Sequence, residues 1–211
     1  MEFSAKTMLL GYANGIFPMA LDANDERLYW FEPEKRGIIP LDAPHMSKSL
    51  QKFLRNCPFR LSLNQEFALV VNHCAAPYAD RKESWINQKL KTLYLDLHQQ
   101  GFAHSIEVWQ DDEMVGGLFG VSLHGAFFGE SMFSRKSNAS KIALFCLILM
   151  MKRQGLSLLD TQYLTPHLAS LGGIEITRED YQEKLQSALA LNVYFDPTPQ
   201  ANIGYKDLIK I

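Results

Sequence analysis

The chain has 211 residues, 47 % of them apolar, with 21 Lys and Arg against 23 Asp and Glu. That is enough for one sizeable core and too apolar for a disordered chain. A formal net charge of −2 argues against a general nucleic-acid coat, though a local basic stripe remains open, and the odd, widely spaced Cys57, Cys74 and Cys146 argue against a disulfide framework and a zinc site. Met1 leads straight into GluPheSerAlaLys, without the basic and apolar regions of a secretion signal. The longest apolar run, 142–151, is too short to span a bilayer. The expectation is a soluble, cytoplasmic protein.

In chain order, residues 3–14 read as a short helix closed by Asn14–Gly15, and 16–19 as an apolar elbow. A polar, acidic loop covers 20–27, followed by the aromatic cluster Tyr29–Trp30–Phe31, either core or pocket wall. Residues 34–40 begin charged and turn strand-like. Ser47 caps a helix to about residue 56, on which Lys48, Lys52 and Arg55 share one face. That spacing suits a solvated face or a phosphate-binding stripe.

A strand is expected over 59–63, a helix capped by Asn64 to about residue 74, and a polar loop over 75–84. Trp85–Ile86 opens a helix to about residue 100, with Ile86, Leu90, Leu93 and Leu97 inward. Three strands follow as an antiparallel meander, 104–110, 114–123 and 126–130. Gly116, Gly117 and Gly120 in the second strand mark a bulge or a close approach. The helix capped by Asn138 or Ser140, to about residue 154, is apolar on nearly every face and must be buried on both sides. A strand at 156–160, a short helix opened by Thr165–Pro166, a strand at 175–177 and a helix over 178–191 complete the pattern. The last residues read as a loosely held tail. A meander followed by helix and strand predicts an α+β sheet.

The chemistry gathers at GlyGluSerMetPheSerArg (129–135) and at AspThrGln (160–162). On a strand, Asp160 and Gln162 project to the same side. The Asp160 carboxylate can accept from the Gln162 amide and leave the amide oxygen for an amine nucleophile, a positioning role more than a base. Glu130, at the end of an aromatic strand, suits a cationic ligand or acid–base work. Ser131 and Ser134 lack a GxSxG elbow and a His/Asp pair placed by spacing. The six histidines show no metal-ligand spacing, and no phosphate-binding glycine loop is present, so neither metal nor nucleotide cofactor is indicated.

Eight segments occur in register: GlyIlePhePro (15–18), TrpIle (85–86), HisSerIleGluValTrp (104–109), GlyGlyLeuPheGlyVal (116–121), GlyGluSerMetPheSer (129–134), AsnAlaSerLys (138–141), LeuLeuAspThrGln (158–162) and HisLeuAlaSerLeuGly (167–172). Together they resemble the leucyl/phenylalanyl-tRNA–protein transferases, over nearly the whole chain. The resemblance implies a GNAT-like acyltransferase domain with a mostly antiparallel sheet flanked by helices, over 34–211. It also implies a small, abbreviated N-terminal domain over 1–33. It further implies transfer of Leu, Phe or Met from aminoacyl-tRNA to the N-terminal amine of proteins beginning with Arg or Lys, for N-end-rule degradation, with no cofactor and no metal. Carried over by position, Asp160, Gln162 and Glu130 would be catalytic, Asp160 orienting Gln162 and Glu130 drawing in the acceptor's positive end. Leu118, Phe127, Leu144, Leu147, Met151 and Leu159 would line the donor side-chain pocket. Trp85 would contact the 3′ adenosine, and Lys48, Lys52 and Arg55 the tRNA body.

Three departures from the family pattern stand out. Set against that pattern, the extension that often precedes the first helix is expected to be absent. Met19 stands where many members have Trp, next to the adenosine, and Phe128 replaces a smaller residue. Two competing readings are an acyl-CoA-dependent acyltransferase and a non-catalytic reader of basic N-termini. Residues 134–140 lack the cofactor-gripping turn that the first requires.

Overall fold

A computed structural model describes residues 3–77, 84–198 and 204–209. Helix α1 (Ala5–Ala13) is capped by Ser4, whose hydroxyl accepts the Thr7 N–H. The elbow is a strand, β1 (Phe17–Met19), paired antiparallel with β2 (Tyr29–Phe31) across the acidic loop. Then come β3 (Lys35–Ile38), α2 (Lys48–Leu54), capped by Ser47 as expected, and β4 (Arg60–Leu63). Asn64 does not cap α3 (Phe67–Ala75). It sits at φ 54° and spends its amide on the Ser105 N–H and the His104 ring, tying the β4 end to the meander. Part of the loop expected over 75–84 lies outside the described residues. Helix α4 (Gln88–Gln99) starts later than Trp85, because Asn87 takes the Leu90 N–H and sets the cap there.

The meander is β5 (Ala103–Gln110), β6 (Glu113–Leu123) and β7 (Ala126–Ser134). Next follow α5 (Ala139–Gln154), β8 (Leu158–Gln162), α6 (Pro166–Ala169), β9 (Ile174–Thr177), α7 (Arg178–Leu189) and α8 (Tyr205–Leu208). The larger sheet has seven strands in the order β4-β5-β6-β7-β8-β3-β9, antiparallel throughout except for the β7–β8 pair. This is the expected α+β architecture. Helix α5 makes the crossover that a parallel pair requires.

Each face of the sheet carries its own core. Met8, Tyr12, Phe67, Val70, Tyr94, Leu97, Phe119, Phe128 and Tyr181 fill one, so α1, α3, α4 and α7 cover that face. Helix α5 dominates the other, with Ile142, Leu144, Phe145, Leu147 and Met151 buried among Leu118, Phe127 and Leu159. The helix is apolar all round because the sheet lies on one side and α2, α8 and the chain around Phe195 on the other. The tail is therefore not wholly loose: Phe195 and Leu208 are both buried in this core.

Two bulges shape the sheet centre. Phe119 pairs with Ser131 and Gly120 with Gly129, which leaves Glu130 as an extra residue on β7. The ladder continues past it to Ser134, so β7 is longer than a strand ending at Glu130. Gly37 pairs with Gln162 and Ile38 with Asp160, which leaves Thr161 extra on β8. A methyl on Gly37 would stand 2.8 Å from Thr161 Oγ1 and from Leu164 N, so glycine admits this second bulge. The parallel ladder between β7 and β8 ends at Phe128 and Asp160, just before both bulges. Beyond that point the strands part, and a fork opens.

Candidate active site

The fork holds a pocket of about 310 Å³. Strand β7 supplies Gly129 to Met132, β8 and its extension supply Thr161 to Tyr163, and α5 supplies Leu144 and Leu147. Leu118, Leu159, Phe17, Met19 and Trp85 complete its apolar wall, and His167 and Thr165 stand at α6. Leu118, Leu144, Leu147, Leu159, Trp85 and Met19, all carried onto the site by the family resemblance, do line this pocket. Two expected lining residues are elsewhere. Phe127 lies below Gly120 with its ring 5.2 Å from that of Phe195, and Met151 is fully buried one turn further along α5. Both point into the core beneath the pocket floor, since the fork begins only beyond Phe128. Phe128 is also buried, packed on Tyr12 at 4.7 Å between ring centroids.

Glu130 is 8 % exposed, and its bulge turns the carboxylate toward α1 and α4. Tyr12 donates to Oε1 at 2.7 Å and Tyr94 to Oε2 at 2.5 Å. Among the described residues no Lys, Arg or His pairs with it. Burial pushes its carboxyl up to about 7; the two hydroxyls pull the other way, and the nearby Asp160 charge adds to the rise. Burial raises Tyr12 and Tyr94 far above the usual phenol range, so both remain donors.

Asp160 has no exposure and is saturated. Arg36 grips it through Nε to Oδ1 at 2.9 Å and Nη2 to Oδ2 at 2.7 Å. Tyr181 donates to Oδ2 at 2.7 Å, and the Gln162 backbone N–H donates to Oδ1 at 2.8 Å. The expected bond from the Gln162 amide to Asp160 is therefore not made. The period-two argument fails at the bulge, where Gln162 takes a left-handed φ of 57°. The Gln162 NH₂ instead donates to the carbonyls of Gly129 at 2.9 Å and Thr161 at 3.0 Å, the orientation its surroundings demand. The remaining amide position, held by Oε1, lies 3.5 Å from Glu130 Oε1. Two backbone carbonyls thus do the orienting foreseen for Asp160, and the amide oxygen is left on the Glu130 side of a residue that lines the pocket.

Ser134 bonds the Lys136 carbonyl and accepts the Ser140 N–H, which shapes the entry to α5. Ser131 lines the pocket beside Glu130. Lys48 and Lys52 on α2 and Arg55 at its C-terminal cap are exposed and do not line the pocket, and none is in an ion pair among the described residues. No group of three or more His, Cys, Asp or Glu among the described residues is placed to hold a metal. No helix among them is long and apolar enough to cross a membrane. Sequence reasoning missed Arg36, Tyr12, Tyr94 and Tyr181. One signal was available: Arg36, unlike Lys35 before it, directly abuts the apolar GlyIleIle run, and such a residue, once buried, needs an anion.

A family model described as leucyl/phenylalanyl-tRNA protein transferase matches residues 38–186, and one for the N-terminal domain of the same family matches residues 1–34. A leucyl/phenylalanyl-tRNA–protein transferase of Ruegeria sp. (strain TM1040) is 53 % identical over 189 residues, covering 90 % of this chain and 88 % of the relative. Relatives of the same name from Rhodospirillum rubrum and Maricaulis maris are 48 % and 47 % identical, covering 89 % and 99 % of this chain and 88 % and 97 % of their own. Among solved structures, that of L-PGS from Bacillus licheniformis is a loose likeness, with a TM-score of 0.39 and 16 % identity over 86 % of this chain and 62 % of that one. The chain belongs to the leucyl/phenylalanyl-tRNA–protein transferase family and is an aminoacyltransferase.

Proposed function

We propose that this protein moves leucine, and also phenylalanine or methionine, from charged tRNA to the N-terminal amine of cytoplasmic proteins that begin with Arg or Lys, marking them for N-end-rule degradation. The observation that carries the acceptor class is Glu130. A buried carboxylate with two hydroxyl donors and no cation partner among the described residues is one positive charge short. A basic N-terminal residue supplies that charge. The apolar lining from Leu118, Leu144, Leu147 and Leu159 suits the donor side chain. A methylene gained or lost in such a slot is worth roughly 1–3 kcal/mol, so the slot tolerates several apolar side chains while disfavouring polar ones.

The donor ester is already activated. The acceptor amine attacks its carbonyl carbon, a C–N bond forms, the C–O bond to the ribose breaks, and the tRNA hydroxyl leaves with the proton. Gln162 Oε1 accepts from the amine and aligns it. Trp85 and Met19 receive the 3′ adenosine, and Lys48, Lys52 and Arg55 contact the tRNA body.

The test is transfer from Leu-, Phe- and Met-tRNA to peptides that begin with Arg, Lys or Asp. Leucylated Arg and Lys peptides are expected, with the Asp peptide unmodified; equal labelling of all three would remove Glu130 from acceptor choice. With the Arg peptide, Gln162→Ala should lower kcat by about 100-fold with donor KM within about threefold, the pattern of lost positioning.

A further inference from the structure

Arg36 lies in the short stretch between the two matched segments, 1–34 and 38–186. It is 2 % exposed and is one of the largest fully buried side chains of the chain. Three parts of the molecule meet on its guanidinium. Nε and Nη2 hold both oxygens of Asp160 on β8. Nη1 donates to the Gly15 carbonyl at 2.9 Å, in the turn that leads to β1. The rings of Phe17 and Tyr181 each lie 4.5 Å from it, Phe17 being a wall of the pocket and Tyr181 a residue of α7.

A carboxylate offers about four acceptor sites. Asp160 uses Oδ1 for Arg36 Nε and the Gln162 N–H, and Oδ2 for Arg36 Nη2 and the Tyr181 hydroxyl. None is left to take a proton from substrate. Its remaining service is to the Gln162 N–H, in the local loop by which an Asp side chain captures the N–H two residues on. Gln162 stands at φ 57°, a conformation that a residue with a side chain keeps only where its surroundings impose it. Asp160 imposes it from one side. From the other, the Gly129 and Thr161 carbonyls fix the amide. Asp160 can do this only while its own buried charge is compensated and its plane is fixed, and Arg36 does both through a two-pronged grip.

We propose that Arg36, supported by Tyr181, is the positioning residue of the transfer centre: through Asp160 it holds the strained turn that aims Gln162, and through Gly15 and Phe17 it seats the pocket wall against that turn. The proposal rests on the reading of Gln162 as the group that aligns the amine.

The test compares Tyr181→Phe, Arg36→Lys, Arg36→Ala and Gln162→Ala in steady-state transfer from Leu-tRNA to an Arg peptide. Tyr181→Phe keeps the ring beneath Arg36 and removes one hydrogen bond to Oδ2. It should lower kcat by about three- to tenfold with donor KM unchanged, and Arg36→Lys, which loses the fork, by about 10- to 100-fold. In Arg36→Ala, added methylguanidinium should restore kcat by about tenfold, with no effect on wild type or on Gln162→Ala. Should Arg36→Ala not fold, Tyr181→Phe and Arg36→Lys still decide. Wild-type kcat in both, or donor KM rising as much as kcat falls, overturns the proposal. If Gln162→Ala is impaired while the Arg36 and Tyr181 variants are not, this proposal alone fails. If Gln162→Ala turns over like wild type, the alignment role of Gln162 and this proposal fall together.

Discussion

Asp160 and Glu130 stand on neighbouring strands just where β7 and β8 part, and both are almost wholly buried. Asp160 meets a guanidinium, a phenol and a backbone N–H, and every acceptor site it has is used. Glu130 meets two phenols and, among the described residues, no hydrogen-bonded cation, and burial lifts it to about 7. One carboxylate has been completed by the fold; the other awaits something from outside. The difference comes from Arg36, a single positive charge shared by two acids, whose fork reaches only one of them. Where burial alone would flag both as functional, partner accounting separates the acid saturated by the fold from the acid proposed to meet a ligand.

The strongest way to break this comparison is to neutralise each acid in turn. Asp160→Asn leaves Arg36 buried and unpaired and should cost about 3–5 kcal/mol in urea unfolding. Glu130→Gln should cost little at pH 8 or even stabilise. The sign follows from linkage: with its carboxyl moved from 4.5 to about 7, folded Glu130 holds its proton where the unfolded chain has released it. Its contribution to stability is therefore fully present below about 4.5 and declines as pH rises to about 7, by on the order of 3 kcal/mol. Glu130→Gln should flatten that decline. Equal destabilisation by the two substitutions at pH 8 would erase the distinction.

A smaller effect sharpens it. If Glu130 attracts the acceptor's cation, the acceptor KM of an Arg peptide should fall about tenfold between pH 6 and pH 8, following ionised Glu130. In Glu130→Gln that change in KM should vanish, while kcat still rises with deprotonation of the attacking amine. A KM that titrates identically in both proteins would assign the acceptor's charge to another group. The smallest effect lies outside the site. Replacing Lys52 and Arg55 by Ala should weaken tRNA binding and reduce the slope of log K against log salt by about 0.7–0.9 per cation removed. An unchanged slope would leave α2 a solvated face.

The order of elements was legible in the chain because local chemistry writes it. Ser47 and Thr165 cap the helices they were read to open, and the all-apolar α5 announced its burial on two sides. The glycines of β6 announced a bulge or a close approach, and the structure shows both: a register shift at Phe119/Gly120, and approaches to the start of α5, the Ile106 carbonyl and Phe127–Phe128 of β7. Expectation and structure part where a residue's role depends on distant sequence. Asn64 left its helix for a partner 41 positions away. Phe127 and Met151 have the apolar character of pocket residues, but only the point at which β7 and β8 part decides that they lie beneath the floor.

By itself the sequence determined the kind of fold, the family through eight motifs in register, and the residue types gathered at 129–135 and 160–162, because spacing, capping and apolar periodicity act over a few residues. Only the tertiary structure decided what those residues do to one another. It placed Arg36 on Asp160 across 124 positions and Tyr12 on Glu130 across 118, and it turned Gln162 by a bulge that strand periodicity cannot foresee. The physical reason is that a buried charge is defined by its partners, and those partners reach it only when the chain closes on itself.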